Sequence, residues 1–358
     1  MTGVTVGLPE IVAGFIVVAL NAYALTGGAD FGGGVWELLA RGPRRDAQRA
    51  LVARALAPIW EANHVWLILV VVMLFTAFPD VFATLGIILH VPLSLMLIGI
   101  VLRGSAFVFR SYDPRDDSVR RKWGRLFAVT SIVTPGLLGM VIGAIASGAV
   151  GDAARRLAAV HAGSPSSDGF VSIYVRPWLA PFPIITGVLA LTMFAFLAAV
   201  YLAVAATDDA LREDFRRRAL VAAGAVLVMA GAGLVAADVY APDVLRSLLG
   251  GGWASALQLA TGAAALACIA ALWTRRWQLA RVAAAGQVSL ILWGWVAAQY
   301  PWMIPSTHAI RTSSAPAVTL KLLLMGLAVG AAILLPSLAY LYRTFARAET
   351  TAMVNGEP

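Results

Sequence analysis

The residues of this chain best suited to chemistry lie in one short run, Trp60-Glu61-Ala62-Asn63-His64. Glu61 and His64 are three residues apart and Trp60 and His64 are four apart, so on a helix their side chains lie on the same side. A carboxylate and an imidazole at that spacing can share a proton, which suits a proton relay or a polar wall beside a cofactor. The same side chains could instead clamp neighbouring helices by hydrogen bonds, and the spacing alone leaves both interpretations open.

A second acid, Asp30, lies among five glycines in the run from Gly27 to Gly34. Such a run predicts either tight packing or an opening in the backbone. It is not a phosphate-binding loop, because the glycine spacing differs and no strand precedes it. Asp30 could therefore pair with a cation, take part in proton uptake, or serve only as a cap or packing site.

Two further polar residues, His90 and Arg103, fall in the next apolar segment. Arg103 keeps its charge, so it needs either the membrane interface or an anion, such as a carboxylate or an acidic cofactor group. His64 and His90 together suggest a bis-histidine haem, which requires both ligands to face one cavity. Their predicted depths in the membrane differ, and this argues against a haem held by the chain itself.

The elements that position these residues are predicted to be membrane helices. Of 358 residues, 60% are hydrophobic and 13% are charged, and the mean hydropathy is +0.82. Soluble domains contain roughly 45–50% apolar and about 25% charged residues. The net charge of +8 is explained by basic loops rather than by nucleic-acid binding. The single cysteine, Cys268, excludes an intrachain disulfide and is predicted to be a small buried hydrophobe.

Hydropathy predicts an all-α, polytopic bundle that forms one integral membrane domain over residues 1–358. About nine spans are expected, at 9–39, 50–78, 80–109, 121–149, 178–206, 218–240, 252–274, 278–300 and 317–343. The segment 150–177 is predicted to be an external loop. Basic residues crowd the alternate loops, at 41–49, 110–122, 212–218, 275–276 and 343–347. The positive-inside rule then places the N-terminus outside and the C-terminus in the cytoplasm.

These motifs resemble subunit II of the cytochrome bd-type quinol oxidases, including the cyanide-insensitive branch. The resemblance covers nearly the whole chain. It is carried by the stretches Gly28-Ala29-Asp30-Phe31-Gly32-Gly33-Gly34, Ala57-Pro58-Ile59-Trp60-Glu61-Ala62-Asn63-His64-Val65-Trp66-Leu67, Leu102-Arg103-Gly104-Ser105-Ala106, Gln299-Tyr300-Pro301 and Pro336-Ser337-Leu338. The Trp-acid-x-Asn-x-Val-Trp-Leu run is the most specific of them.

The resemblance implies a bacterial inner-membrane complex that oxidises quinol and reduces dioxygen to water in the respiratory chain. The b- and d-type haems and the quinol site would lie in subunit I, the partner of this chain, and a small single-span subunit is a further candidate partner. This chain would ligate no metal and would supply a proton path through Glu61, Asp30, Asn63 and His64, with Trp60 and Arg103 as cofactor-facing or structural polar residues. Membrane lipids, or a structural quinone, are candidate bound molecules.

The chain departs from the family pattern at two places. Many members read Gly-Phe-Asp-Leu-Gly-Val-Gly around the first acid, and others carry Asp at the Glu61 position and a different residue at the His64 position. The role of Glu61 is therefore better supported than that of His64. Two alternatives use the same residues, namely a self-contained proton-coupled transporter and a cytochrome with its own haem.

Overall fold

The computed structural model describes residues 6–56, 60–112, 117–163, 169–250 and 252–355. Fourteen α-helices and one short hairpin are present in that part of the chain. They are α1 (Leu8–Leu38), α2 (Arg45–Leu56), α3 (Trp60–Ala77), α4 (Pro79–Ile88), α5 (His90–Tyr112), α6 (Asp117–Ala146), α7 (Ala149–His161), α8 (Phe170–Tyr174), α9 (Pro181–Ala205), α10 (Asp209–Tyr240), α11 (Pro242–Gly250), α12 (Gly252–Trp273), α13 (Trp277–Gln299), β1 (Trp302–Ile304), β2 (His308–Ala309) and α14 (Ala317–Asn355).

Eight helices of the described chain are long and apolar enough to cross a membrane by themselves. A ninth span results if Asn63–Ala77 and Pro79–Ile88, which meet at an angle of 117°, are taken together. The prediction of an all-α, multi-pass membrane fold is therefore confirmed. These helices leave large apolar side chains exposed along their outer faces, as expected where lipid rather than water surrounds a bundle.

The second and third predicted spans, 50–78 and 80–109, differ from the observed helices. The first contains the second half of α2 and all of α3, with residues 57–59 outside the described part, and the second contains all of α4 except Pro79 and most of α5. Pro79 begins α4 because it lacks the backbone N–H that would continue α3. The predicted boundary between the two spans, at residues 78–80, coincides with this bend, but hydropathy did not indicate that residues 79–88 form a short helix separate from α5.

The segment predicted as an external loop, 150–177, is partly helical. It contains most of α7 and the short α8, with residues 164–168 outside the described part. Helix α7 is amphipathic and buries Val150, Gly151 and Ala153 against the body of the protein. A Cβ built on Gly151 would lie 2.7 Å from the carbonyl oxygen of Pro305, so this glycine permits the close approach. The polar composition of α7 lowers its mean hydropathy, so hydropathy does not indicate this helix.

Helix α9 lies at the centre of the bundle and packs against α1, α6, α10 and α13. Small and aromatic residues along it are almost fully buried, including Phe196, Ala198 and Ala199. Its partner α1 approaches closely at Gly32, where a built Cβ would lie 2.0 Å from the carbonyl oxygen of Phe194. Small residues at such crossings let membrane helices gain van der Waals contact, since lipid offers no hydrophobic drive for association. The α1–α9 contact holds the candidate functional site in position.

Candidate functional site

A buried ion pair joins α1 to α5. Arg103 donates to both carboxylate oxygens of Asp30, with Nη1–Oδ2 and Nη2–Oδ1 distances of 2.6 Å. The two side chains are only 3% and 2% exposed. Bidentate pairs of this kind are short, strong and geometrically specific. Of the two environments predicted for Arg103, the structure therefore shows the carboxylate partner and not the membrane interface.

The rest of the guanidinium of Arg103 is also engaged. Its Nε donates to the Ser131 hydroxyl at 2.9 Å, and its Nη2 donates a second bond to the Asp30 carbonyl at 3.1 Å. The rings of Phe31 and Phe127 each lie with their centroids 4.7 Å from its central carbon. Four hydrogen bonds and two aromatic rings hold the guanidinium in one orientation. An arginine that only reached toward the membrane interface would not require these contacts.

The glycines around Asp30 explain why the pair can form. A Cβ built on Gly34 would lie 2.3 Å from the Ser131 side chain, and one on Gly28 would lie 2.7 Å from the Phe194 ring. Helix α1 is continuous through this run, from Leu8 to Leu38. The glycines therefore serve tight packing of α1 against α6 and α9, and the alternative of a backbone opening is wrong.

Helix α3, which begins with the polar run, packs beside α1. Asn63 is 1% exposed, and neither its Oδ1 nor its Nδ2 has a hydrogen-bond partner among the described residues. The buried Nδ1 of His64 likewise has none there. Buried polar atoms nearly always have partners, so these atoms mark a place for water or for a group from outside the chain.

The structure brings His64 into the field of the ion pair, because the charges of both Asp30 and Arg103 act on its imidazole. Trp60 and Glu61 form the first turn of α3, but their side chains lie outside the described part of the structure. Three of the residues singled out in the sequence, Asp30, His64 and Arg103, thus belong to one neighbourhood. The backbone of Glu61 is three residues from His64 in the same helix.

Sequence reasoning missed three polar residues of this neighbourhood. Tyr23 and Glu37 lie seven residues before and after Asp30, so all three occupy one face of α1, and both are buried. The charges of Asp30 and Arg103 act on Tyr23. Ser131, on α6, accepts from Arg103. The seven-residue spacing was visible in the sequence, whereas nothing local indicated that Ser131 faces α5.

His90 belongs to a different part of the molecule from His64. Its Nδ1 lies 2.9 Å from the carbonyl oxygen of Ile87, and its ring packs against Phe170 and Tyr174 around α8. Arg103 lies about 20 Å further along α5 than His90, at the usual rise of an α-helix. Because His64 is close to Arg103, the two imidazoles lie at different depths and do not fit a shared haem.

Comparison with known proteins identifies the family. The family model described as "Cytochrome bd terminal oxidase subunit II" matches residues 8–345. The chain is 29% identical over 211 residues to the "Cytochrome bd-I ubiquinol oxidase subunit 2" of Escherichia coli strain K12, covering 59% of this chain and 52% of that protein. It is 27% identical over 133 residues to a "Putative cytochrome bd menaquinol oxidase subunit II" of Bacillus subtilis, covering 37% and 36% respectively. The matched segments thus span about half or less of these relatives.

The fold agrees with that family. A chain from "The structure of bd oxidase from Geobacillus thermodenitrificans" superposes with a TM-score of 0.74 at 20% sequence identity. The superposition covers 94% of this chain and 98% of the other. At that identity the likeness concerns the fold alone. Because the family match extends from α1 into α14, this chain belongs to the family of cytochrome bd terminal oxidase subunit II.

Proposed function

We propose that this chain is the second subunit of a bacterial inner-membrane quinol oxidase that reduces dioxygen to water. The family match, and two relatives whose names include ubiquinol oxidase and menaquinol oxidase, support this activity. The b- and d-type haems and the quinol site would belong to a partner, subunit I, where the haems supply the electron transfer to oxygen. Neither the family nor the relatives support the proton-coupled transporter considered from the sequence.

The role we propose for this chain is a proton route through Glu61, Asn63 and His64, beside the Asp30–Arg103 pair. The observation that carries the proposal is Asn63, whose buried carboxamide has no partner among the described residues. Water bound there would connect the first turn of α3 to His64, whose Nδ1 is buried in the same way. A chain of water and imidazole can carry protons through a region that excludes ions.

Within this route the residues have different tasks. Both carboxylate oxygens of Asp30 accept hydrogen bonds from Arg103, so Asp30 acts chiefly as a fixed charge that stays in the pair. His64 lies in the field of that pair and exchanges a proton through its ring nitrogens. Glu61, in the first turn of α3, is the acid that passes protons to this region.

The direction of the route follows from the proposed orientation. With the N-terminus outside, the end of α1 and the start of α3 face the cytoplasm. The helix between them, α2, carries the basic residues Arg45, Arg49 and Arg54, as the positive-inside rule expects of a cytoplasmic segment. Protons for water would therefore enter from the inside, next to Glu61.

Glu61→Gln tests the proposal in the intact complex. We expect quinol-driven oxygen consumption to fall on the order of a hundredfold, since a positioned acid typically contributes that much, while haem content and subunit stoichiometry stay normal. Glu61→Asp, which keeps the acid, should retain most of the activity. The matched control is Asp152→Asn in α7, an exposed acid paired with Arg155. Full turnover in Glu61→Gln would contradict the proton route.

Asn63→Leu distinguishes a proton route from a structural role in which Asn63 joins neighbouring helices by hydrogen bonds. If the role is structural, the variant should lose hydrogen bonds to other helices and therefore thermal stability. The structure gives the carboxamide no such bond among the described residues, so we expect little change in the unfolding temperature. Turnover should fall, and its solvent deuterium isotope effect should rise, because the water that Asn63 holds is lost. A large drop in stability with unchanged isotope effect would favour the structural role.

A further inference from the structure

A shallow cavity of about 430 Å³, largely open to the outside, lies where α9 ends and where α10 and α13 begin. It is far in sequence from the Asp30–Arg103 pair and has no part in the proposed proton route. Its lining combines basic, aromatic and apolar side chains, namely Val204, Arg212, Arg276, Trp277, Gln278 and Leu279. Two arginines in a cavity at the end of membrane helices indicate an anionic ligand.

The positive charge around this cavity exceeds the negative charge. Arg212 pairs with Asp209, at 3.1 Å, and its Nε is buried without a hydrogen-bond partner among the described residues. The side chain of Arg276 forms no ion pair within that same part of the chain. Arg281, four residues after Trp277 on α13, also forms none there, and its charge acts on the Tyr201 hydroxyl of α9. The lining itself therefore contains two arginines and no acidic side chain.

The start of α13 supplies uncharged donors to the same cavity. Arg276 is the N-cap residue of α13, and its side chain makes no cap hydrogen bond. The first backbone bond of the helix runs from the N–H of Ala280 to the carbonyl of Arg276. The N–H groups of Trp277, Gln278 and Leu279 precede it, so they have no acceptor within the helix. All three residues line the cavity, and a phosphate oxygen could accept from them.

The first turns of α13 and the end of α12 expose apolar side chains. Trp273 is 70% exposed and Val282 is 66% exposed, and Leu279, in the lining itself, is 47% exposed. A free phosphate ion would leave this surface uncovered, whereas the acyl chains of a lipid would cover it. The Trp277 ring, whose centroid lies 5.6 Å from the guanidinium carbon of Arg212, has the position of an interfacial tryptophan.

We propose that this cavity binds the phosphate group of an anionic phospholipid at the cytoplasmic face of the membrane. Basic pockets between membrane helices on that side are suited to such head groups. Arg212 and Arg276 neutralise the phosphate, the first turn of α13 donates hydrogen bonds to it, and the acyl chains run along Leu279 and Val282. The bound lipid would join the ends of α9, α10 and α13.

The test uses the intact complex, stripped of lipid in detergent and titrated with phosphatidylglycerol. Native mass spectrometry measures the fraction of complex that retains one lipid. We expect the Arg212→Gln/Arg276→Gln double variant to bind about thirtyfold more weakly, the factor for two arginines near an anionic surface. The control is Arg246→Gln, an exposed arginine paired with Asp243 in α11, beyond the far end of α10. It should bind as the unaltered complex does.

Two further arms complete the test. Arg276→Gln alone breaks no ion pair of the described residues, so it gives a result even if the double variant fails to assemble, and its affinity should also fall. Phosphatidylcholine and inorganic phosphate are titrated separately. Equal retention of phosphatidylglycerol by the variants and the control would overturn the proposal. So would equal thermal stabilisation by inorganic phosphate alone, because the ligand would then be a soluble anion.

Discussion

Arg103→Leu should prevent assembly of the complex, or leave it with a much lower unfolding temperature. The substitution keeps the apolar contacts to Phe31 and Phe127 in part but leaves the Asp30 carboxylate buried without its cation. Removing one member of a buried pair costs ~3–5 kcal/mol, because the remaining charge is left uncompensated. The measurements are the amount of subunit in the membrane, the unfolding temperature, and the haem absorbance of the purified complex.

The double variant Asp30→Asn/Arg103→Met distinguishes loss of the pair from loss of packing. It removes both charges together, so we expect it to recover much of the stability that Arg103→Leu loses. The matched control is Arg44→Leu. Arg44 also binds Asp214 in a bidentate geometry, at 2.6 and 2.8 Å, but its side chain is 48% exposed. An exposed pair contributes about 0–1 kcal/mol. Equal effects of Arg103→Leu and Arg44→Leu would show that burial of the Asp30–Arg103 pair is unimportant.

After Arg103→Leu, we expect the next largest loss of stability from Gly32→Ala, although this substitution adds only one methyl group. The new Cβ would lie 2.0 Å from the backbone carbonyl oxygen of Phe194 and 2.7 Å from the Cβ of Ala198. A backbone atom in the middle of α9 cannot rotate away, so α1 and α9 must separate. Overpacking in a dense core costs typically ~1–3 kcal/mol, and this contact is among the closest of the bundle. The unfolding temperature of the complex should fall accordingly.

Gly14→Ala provides the control for Gly32→Ala, because it lies in the same helix with nothing within 4 Å of its built Cβ. Alanine favours helix more than glycine does, so Gly14→Ala should leave stability unchanged or slightly raised. Gly32→Ala should also weaken the bond from Arg103 to Asp30, since Asp30 is only two residues away. If both variants unfold at the same temperature, α1 and α9 do not pack as the structure shows.

The sequence predicted the class of fold and the important residues better than it predicted their contacts. Asp30 and Arg103 were singled out because charge is costly in a bilayer. A cation for Asp30 and a carboxylate for Arg103 were each one alternative among several, because hydropathy does not show which helices are neighbours. The sequence also gave no reason to connect Ser131 with Arg103, which lies 28 residues earlier on another helix.

Three features of the structure were not predicted, and in each case hydropathy does not carry the information. Helix α7 was predicted as loop because its polar residues lower its hydropathy, yet it lies along the surface with one buried face. The break at Pro79 coincides with the predicted boundary between two spans, but the short helix α4 and the start of α5 at His90 were predicted as one span, because both are apolar. Glu37 was overlooked because it lies at the very end of an apolar segment, where charges are common. The fold buries it on the face of α1 that also carries Asp30.

The Asp30–Arg103 pair also has a consequence for biosynthesis. Helix α1 leaves the ribosome well before α5, so during that interval Asp30 cannot pair with Arg103. A lone charge at the middle of a membrane helix costs ~2.5–3.5 kcal/mol on insertion, and the same holds for Arg103. Helix α1 is long and apolar enough to cross the membrane even so, and pairing with Arg103 removes this cost once α5 lies beside it. The final position of the first helix thus depends on a residue that is made 73 positions later.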